Sequence, residues 1–374
     1  MKLPQGFEFE KPNQVCKLRR SLYGLKQASR QWNSKLSAAL LQMMFVQSKS
    51  DPSLFTKGEG ATFIVVLIYV DDILLTSPDI SQIQNLKMYL DNAFKIKDLG
   101  ELGYFLGIEA RSSDTGLNLC QCKYAMDILT ETGFLECKPA SSPMVPGIHL
   151  CHGDSEPFAN IGSYRRLRIM SCDISNEPLG RASFYPKGEA TQLNVFSDSD
   201  WAICSESRRS ITGFCVFLGS ALISWKCKKQ STVSRSSSEA EYRALAATVS
   251  EVQWITFLLS DLQMKMKKPA AVFCDNKSAI AIAENSVFHE RTKHIEIDCH
   301  LVREKVSQGL IKLLSVSSSN QTADGFTKPL PIPQFQLFTS KLGTQDLYAP
   351  TYGGCWKKKN KEACSSGLFK AKIG

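Results

Sequence analysis

Two sets of acidic side chains in this 374-residue chain sit where carboxylates are costly unless something neutralises them. The first is Asp71-Asp72, in Tyr69-Val70-Asp71-Asp72, between two strongly apolar stretches. That pattern predicts a hairpin over 62–76 with the aspartates at its turn, where bound cations offset their charge. Nucleotide polymerisation needs such an arrangement, because two metal ions must grip the attacking 3′ oxygen and the triphosphate. The plainer alternative is an Asp-Asp turn.

The second set is spread over a longer stretch. Asp198 ends the strand pattern of Phe196-Ser197-Asp198, and Glu239 opens a long helix after Ser236-Ser237-Ser238. Asp275 closes the next strand in Phe273-Cys274-Asp275-Asn276, and Asp324 begins a final helical stretch. Strand ends and helix starts can converge at one rim of a sheet, and four carboxylates gathered there repel one another without divalent cations. Two Mg²⁺ in such a cluster would activate water and stabilise the leaving oxygen in phosphodiester hydrolysis. Each residue also has a local explanation. Ser236-x-x-Glu239 fits a capping box, Asp275-Asn276 a turn or N-cap, and Asp324 a cap of its own helix.

The elements that must position these groups are legible as periodicities. Helices are expected over 25–44, with Trp32, Leu36, Leu40 and Met44 on one face, and over 81–94. A strand pair is expected over 102–108 and 117–121, then a helix over 124–132 that stops at Gly133. The stretch 139–157, rich in Pro, Ser and Gly, reads as a linker, and 159–181 shows no clear pattern. Strands follow over 193–197, 213–218 and 221–226, a helix over 239–259, a strand over 271–274, helices over 277–283 and 299–308, and a strand over 310–316. Three strands, a helix, then alternating strand and helix reads as one mixed α/β domain.

The net charge of +9 suits a polyanionic partner such as nucleic acid, and the 43% hydrophobic content suits folded cores. Thirteen cysteines without paired C-x-x-C clusters read as reduced thiols rather than a zinc site or a disulfide framework. Reduced thiols and the lack of a signal-peptide pattern point to the cytoplasm, with the nucleus as the alternative. The longest apolar run, 63–70, is far too short to span a bilayer, so no membrane partner is expected.

Three ordered blocks around the hairpin resemble copia-type LTR retrotransposon Pol polyproteins. They are Ser21-Leu22-Tyr23-Gly24-Leu25-Lys26-Gln27-Ala28, Tyr69-Val70-Asp71-Asp72, and Leu99-Gly100-Glu101-Leu102-Gly103-Tyr104-Phe105-Leu106-Gly107-Ile108. The resemblance implies a reverse transcriptase palm in which Asp71 is a metal ligand, Asp72 its partner, and Gln27 lies beside the incoming nucleotide. Met1-Lys2-Leu3-Pro4-Gln5-Gly6-Phe7 resembles the segment just after the family's first catalytic aspartate. The fingers and that aspartate are therefore expected upstream of Met1, and polymerase activity of this chain alone is not expected. The later blocks resemble the family's ribonuclease H, which implies that Asp198, Glu239, Asp275 and Asp324 are catalytic and metal-binding.

The same resemblance marks Tyr164-Arg165-Arg166-Leu167 and Phe184-Tyr185-Pro186 as landmarks usually much farther apart, which implies an internal deletion. Where related nucleases often carry a histidine before the last aspartate, this chain has Ser317-Ser318-Ser319. His289 and His294 are read as fold support, with substrate contact as the alternative. Arg208, Arg209, Lys226 and Lys228 are candidate nucleic-acid contacts, although a solvated charged face explains each as well.

The expected fold class is α/β: an α+β palm remnant plus a ribonuclease H-like mixed-sheet domain. Its parts are a partial reverse transcriptase at 1–138, a linker and shortened connection at 139–183, a ribonuclease H-like domain at 184–350, and a disordered basic tail at 351–374. Expected partners are RNA–DNA hybrid and template RNA or DNA, with Mg²⁺ as cofactor and Mn²⁺ as its substitute. Oligomeric state is not legible. The rival reading is a non-catalytic nucleic-acid-binding remnant of a decayed mobile element.

Overall fold

The computed structural model describes residues 28–137, 181–188, 192–285, 295–346 and 368–373. They pack as two compact units, divided between Gly100 and Glu101, with the strand after Gly367 returning to the first. No described helix is long and apolar enough to cross a membrane.

The first unit runs α1 (Ala28–Gln42), β1 (Val46–Gln47), β2 (Leu54–Lys57), β3 (Ile64–Tyr69), β4 (Asp72–Thr76), α2 (Ile80–Phe94) and β5 (Ile96–Glu101). Its last strand, β16 (Leu368–Ile373), comes from the far end of the chain and lies between β4 and β5 in the order β1-β2-β3-β4-β16-β5. Alternate residues Ile64, Val66 and Ile68 of β3, with Ile73 and Leu75 of β4, form one buried face under Leu36, Leu40, Ile83, Leu86 and Leu90 of the two helices. The expected 25–44 helix ends sooner: Met44 takes a left-handed φ of 68° while the Phe45 N–H donates to the Leu40 carbonyl. That Schellman-type ending turns Met44 out to 77% exposure, off the face it was expected to share. Trp32 stays inward, its ring edge-on to Phe94, and its Nε1 donates to Val70 O at 3.0 Å, tying α1 to the hairpin turn.

In the second unit a mixed five-stranded sheet has the order β12-β11-β10-β13-β14. These strands are β10 (Leu193–Asp200), β11 (Ile211–Leu218), β12 (Ala221–Lys229), β13 (Ala270–Cys274) and β14 (Ile311–Ser315). The pairs among β10, β11 and β12 are antiparallel, whereas β10/β13 and β13/β14 are parallel. Alternation along β11 sends Phe214 and Val216 to one face and Cys215 and Phe217 to the other. The first face packs against α4 (Ser237–Asp261), α5 (Lys277–Glu284) and α6 (Glu296–Ser307). The second packs against Phe326, from a 3₁₀ turn at Thr322–Phe326, and Phe338 of α7 (Ile332–Lys341).

A third sheet, also in the second unit, has the order β15-β9-β8-β7-β6. It comprises β6 (Tyr104–Phe105), β7 (Ile108–Ser113), β8 (Gly116–Cys120), β9 (Arg181–Pro186) and β15 (Thr344–Asp346), beside α3 (Cys122–Thr132). The expected 102–108 strand is instead a hairpin bend, because Leu106 and Gly107 both adopt positive φ, at 52° and 86°. Antiparallel pairing of β9 with β8 carries residues expected on the polymerase side of a 138/139 boundary into this unit. The tail expected to be unstructured at 351–374 ends in the β16 strand, because Phe369 and the fully buried Ala371 complete an apolar sheet face.

One glycine sets how closely the second face of the main sheet can be covered. Gly213 stands opposite Asp198 in the β10/β11 register, directly under the 3₁₀ turn. A Cβ there would lie 2.6 Å from Thr327 Cγ2 and 3.0 Å from Phe326 Cβ, too close for either. Gly213→Ala is therefore expected to destabilise the protein by about 1–3 kcal/mol, read from urea midpoints. An unchanged midpoint would show that the turn is not seated on the strand.

Candidate functional site

The parallel pairing of β10 with β13 brings the ends of both strands to one rim. Phe196 pairs with Phe273, so Asp198 and Asp275 follow two residues later on neighbouring strands. The stacked rings of Phe196 and Phe273, 4.9 Å apart, fill the space just below them. Asp198 is 1% exposed. Its Oδ2 accepts a short hydrogen bond from the Thr327 hydroxyl, and the Lys328 ammonium lies 3.5 Å away.

The same ammonium is 2.9 Å from Asp324 Oδ1, so one lysine bridges two carboxylates. Gln321 positions that turn: its Nε2 donates to Ser197 O at 2.9 Å, and its Oε1 accepts the Ala323 N–H. Asp275 Oδ2 accepts from Ser318 Oγ at 3.0 Å, so the serine-rich loop supplies a hydroxyl to the cluster.

The helical carboxylate of this cluster is Glu241, not Glu239. Ser236 Oγ accepts the Glu239 N–H, while the Glu239 carboxylate accepts the Arg235 N–H and pairs with Arg243 at 3.0 Å. Glu239 thus serves the helix start, as its capping-box spacing allows. Two residues on, the helix has turned about 200° and Glu241 faces the sheet. Thr248, at i+7 on the same face, donates to Ser197 Oγ at 3.0 Å. Buried Gln230 fixes the helix start by donating to Ala240 O at 2.9 Å and to Thr212 Oγ1 at 3.1 Å.

Electrostatics mark the group as a cluster. Burial, then the charges of Asp198 and Asp275, push the Glu241 carboxyl up to about 9. Burial and Asp198 push Asp324 up to about 6. Burial works against the Lys328 charge, but Asp198 and Asp324 outweigh it and hold the ammonium above its usual range. Glu241 Oε2 is buried and has no hydrogen-bond partner among the described residues. Glu241, Cys274 and Asp275 can each offer a donor atom within 4.8 Å of the others. Burial pushes the Cys274 thiol up to about 12, which leaves oxygen as the practical donor.

Of the residues singled out in the sequence, Asp198, Asp275 and Asp324 come together, and Glu239 does not join them. Reasoning from spacing missed Glu241, Thr327, Lys328 and Ser318. The signal for Glu241 was its place on the stripe of Leu245, Thr248, Val252, Ile255 and Leu259, all buried. Lys226 and Lys228 are exposed on β12 and line, with Thr232 and Arg243, a cleft of about 340 Å³; Arg208 and Arg209 are exposed in the β10–β11 loop. Asp71 and Asp72 lie in the first unit, where Val70, at a φ of 54°, turns the hairpin. Gln27, His289, His294 and the 164–167 landmark lie outside the described residues.

Comparison with known proteins adds the lineage. Residues 1–146 match the family model described as reverse transcriptase (RNA-dependent DNA polymerase). The retrovirus-related Pol polyprotein from transposon RE1 of Arabidopsis thaliana is 40% identical over 92% of this chain and 26% of its own length. That from transposon RE2 of the same plant is 38% identical over 95% of this chain and 27% of its own. The N-terminal RNase H domain of rv2228c from Mycobacterium tuberculosis is similar over 40% of this chain and 97% of its own, at 16% identity and a TM-score of 0.28. The chain spans about a quarter of the length of these two polyproteins. Over more than nine-tenths of its length, then, the chain is similar to a part of these retrotransposon Pol polyproteins, and its first 146 residues match the reverse transcriptase family.

Proposed function

We propose that the second unit is a ribonuclease H, hydrolysing RNA in RNA–DNA hybrids to leave a 3′ hydroxyl and a 5′ phosphate, and that the first unit is part of a reverse transcriptase palm. The observation that carries this reading is Glu241: a buried carboxyl beside Asp198 and Asp275, with one oxygen that accepts no hydrogen bond among the described residues. A buried carboxylate oxygen of that kind in an acidic cluster suits a divalent cation.

The available donors are hard oxygens, which suit Mg²⁺ and also Mn²⁺. Asp198, Glu241, Asp275 and Asp324 would hold the cations, which supply Lewis-acid activation of the attacking water and neutralise charge on the scissile phosphate. Thr327 and Lys328 hold Asp198 in one orientation. Lys328 also balances the charge of Asp198 and Asp324 while the cluster is empty of substrate. Glu241 must lose its proton as it becomes a ligand, so cation binding releases a proton and strengthens with pH. Arg208, Arg209, Lys226 and Lys228 would track phosphates of the hybrid, giving salt-dependent affinity.

A binding remnant without catalysis is the second reading, favoured by one observation: the exposed lysines of β12 are independent of the carboxylates. Cleavage decides between them. In Mg²⁺ with a labelled hybrid, Asp198→Asn and Glu241→Gln are expected to abolish cutting. Glu239→Gln should keep activity within about tenfold while lowering stability by about 1–2 kcal/mol. Hybrid bound but left intact by the wild-type protein would sink the enzyme reading.

The raised carboxyls also predict a pH trend in cation-free protein. A carboxyl held above its unfolded value binds its proton more tightly when folded, so stability is highest below that value and falls as pH rises. For Glu241 the fall runs from its ordinary 4.5 to about 9. Melting temperatures in chelator should therefore decline over that interval, and Glu241→Gln should flatten the decline. A wild-type curve that rises with pH would contradict the protonated, buried state of Glu241.

A further inference from the structure

The hairpin of the first unit carries its own cationic partner. Strand β16 pairs antiparallel with β4 over five positions, from Leu368↔Thr76 to Lys372↔Asp72. Phe369 packs on the core of this unit with the Lys87 ammonium 4.4 Å above its ring, and Ala371 is fully buried. The strand is thus seated by apolar burial as well as by its ladder.

Lysines two residues apart on a strand share a face. Here Lys370 Nζ lies 3.2 Å from Asp72 Oδ1, and Lys372 Nζ lies 3.1 Å from Asp71 Oδ2. Asp72 Oδ1 is buried and accepts no hydrogen bond of good geometry, so the neighbouring ammonium is what offsets its charge. Each aspartate of the pair has one lysine. An ammonium within contact distance of a carboxylate oxygen repels a divalent cation and takes the oxygen it would use.

We propose that Leu368–Ile373 is a built-in ligand of the hairpin, a basic strand whose Lys370 and Lys372 close Asp72 and Asp71 to divalent cations. The proposal rests on reading those aspartates as the cation-binding pair of a palm remnant. The acceptor site is the edge of β4, and its ligand chemistry is an extended peptide with lysines at alternate positions around a small apolar residue.

Two readouts on the full chain test it: hydrogen exchange at the amides of Ile73–Thr76, and Mn²⁺ binding followed by electron paramagnetic resonance. Ala371→Pro should unseat the strand and speed exchange in β4 by about tenfold or more. The double variant Lys370→Gln, Lys372→Gln should keep that protection yet gain a Mn²⁺ site about tenfold tighter than any at the wild-type hairpin, and Asp72→Asn should remove it. Exchange in β4 that is equally fast in wild type and Ala371→Pro would overturn the proposal at its docking step, leaving the palm reading intact. A seated strand whose lysines can be neutralised with no gain in Mn²⁺ would overturn it at the cation step, and would take the palm reading with it.

Discussion

Mutual repulsion among buried carboxylates is the constraint around which the second unit is arranged. Asp198 and Asp275 end neighbouring parallel strands, Glu241 faces them from a helix, and Asp324 closes in from a 3₁₀ turn. Left ionised together without cations, they would push the rim apart. The protein answers with three devices of different kinds. Lys328 places one positive charge between two of the acids, Thr327 and Ser318 donate hydroxyl protons, and Glu241 keeps its own proton.

The supports behind that rim are apolar and need no such compromise. The Phe196–Phe273 stack fills the level below the acids, and Gly213 leaves room for the turn that carries Asp324. Gln321 and Gln230 then tie the two non-strand elements, the turn and the start of α4, to the sheet through buried hydrogen bonds. Position is therefore set by packing and backbone bonding, and charge is balanced afterwards by groups at the rim.

Much of this was legible before any coordinates. Short apolar runs bounded by turn residues located β3, β4, β10, β11 and β13 to within a few residues, because each buries one or both faces. The strand-end acids Asp198 and Asp275 followed from the same pattern. Glu239 was misread because two signals of different range overlap in Ser236–Tyr242. A capping box is a local match of four residues, whereas the facing direction of Glu241 emerges only from the buried stripe over the next five turns. The third sheet was hidden for another reason. Strand β15 has only three residues, and β9 pairs with strands far off in sequence, so no local pattern announces either.

The same non-local pairing that seats β16 has a consequence for how the chain is made. Strand β4 leaves the ribosome before the second unit, while the strand that covers its edge is synthesised only after the whole of that unit. Throughout that interval the nascent hairpin presents an unpaired, strongly apolar edge next to two uncompensated aspartates. The second unit has all its strands before the first can complete its sheet. Translation order thus makes the nascent first unit, rather than the second, the place where chaperone capture or misassembly between neighbouring chains would begin.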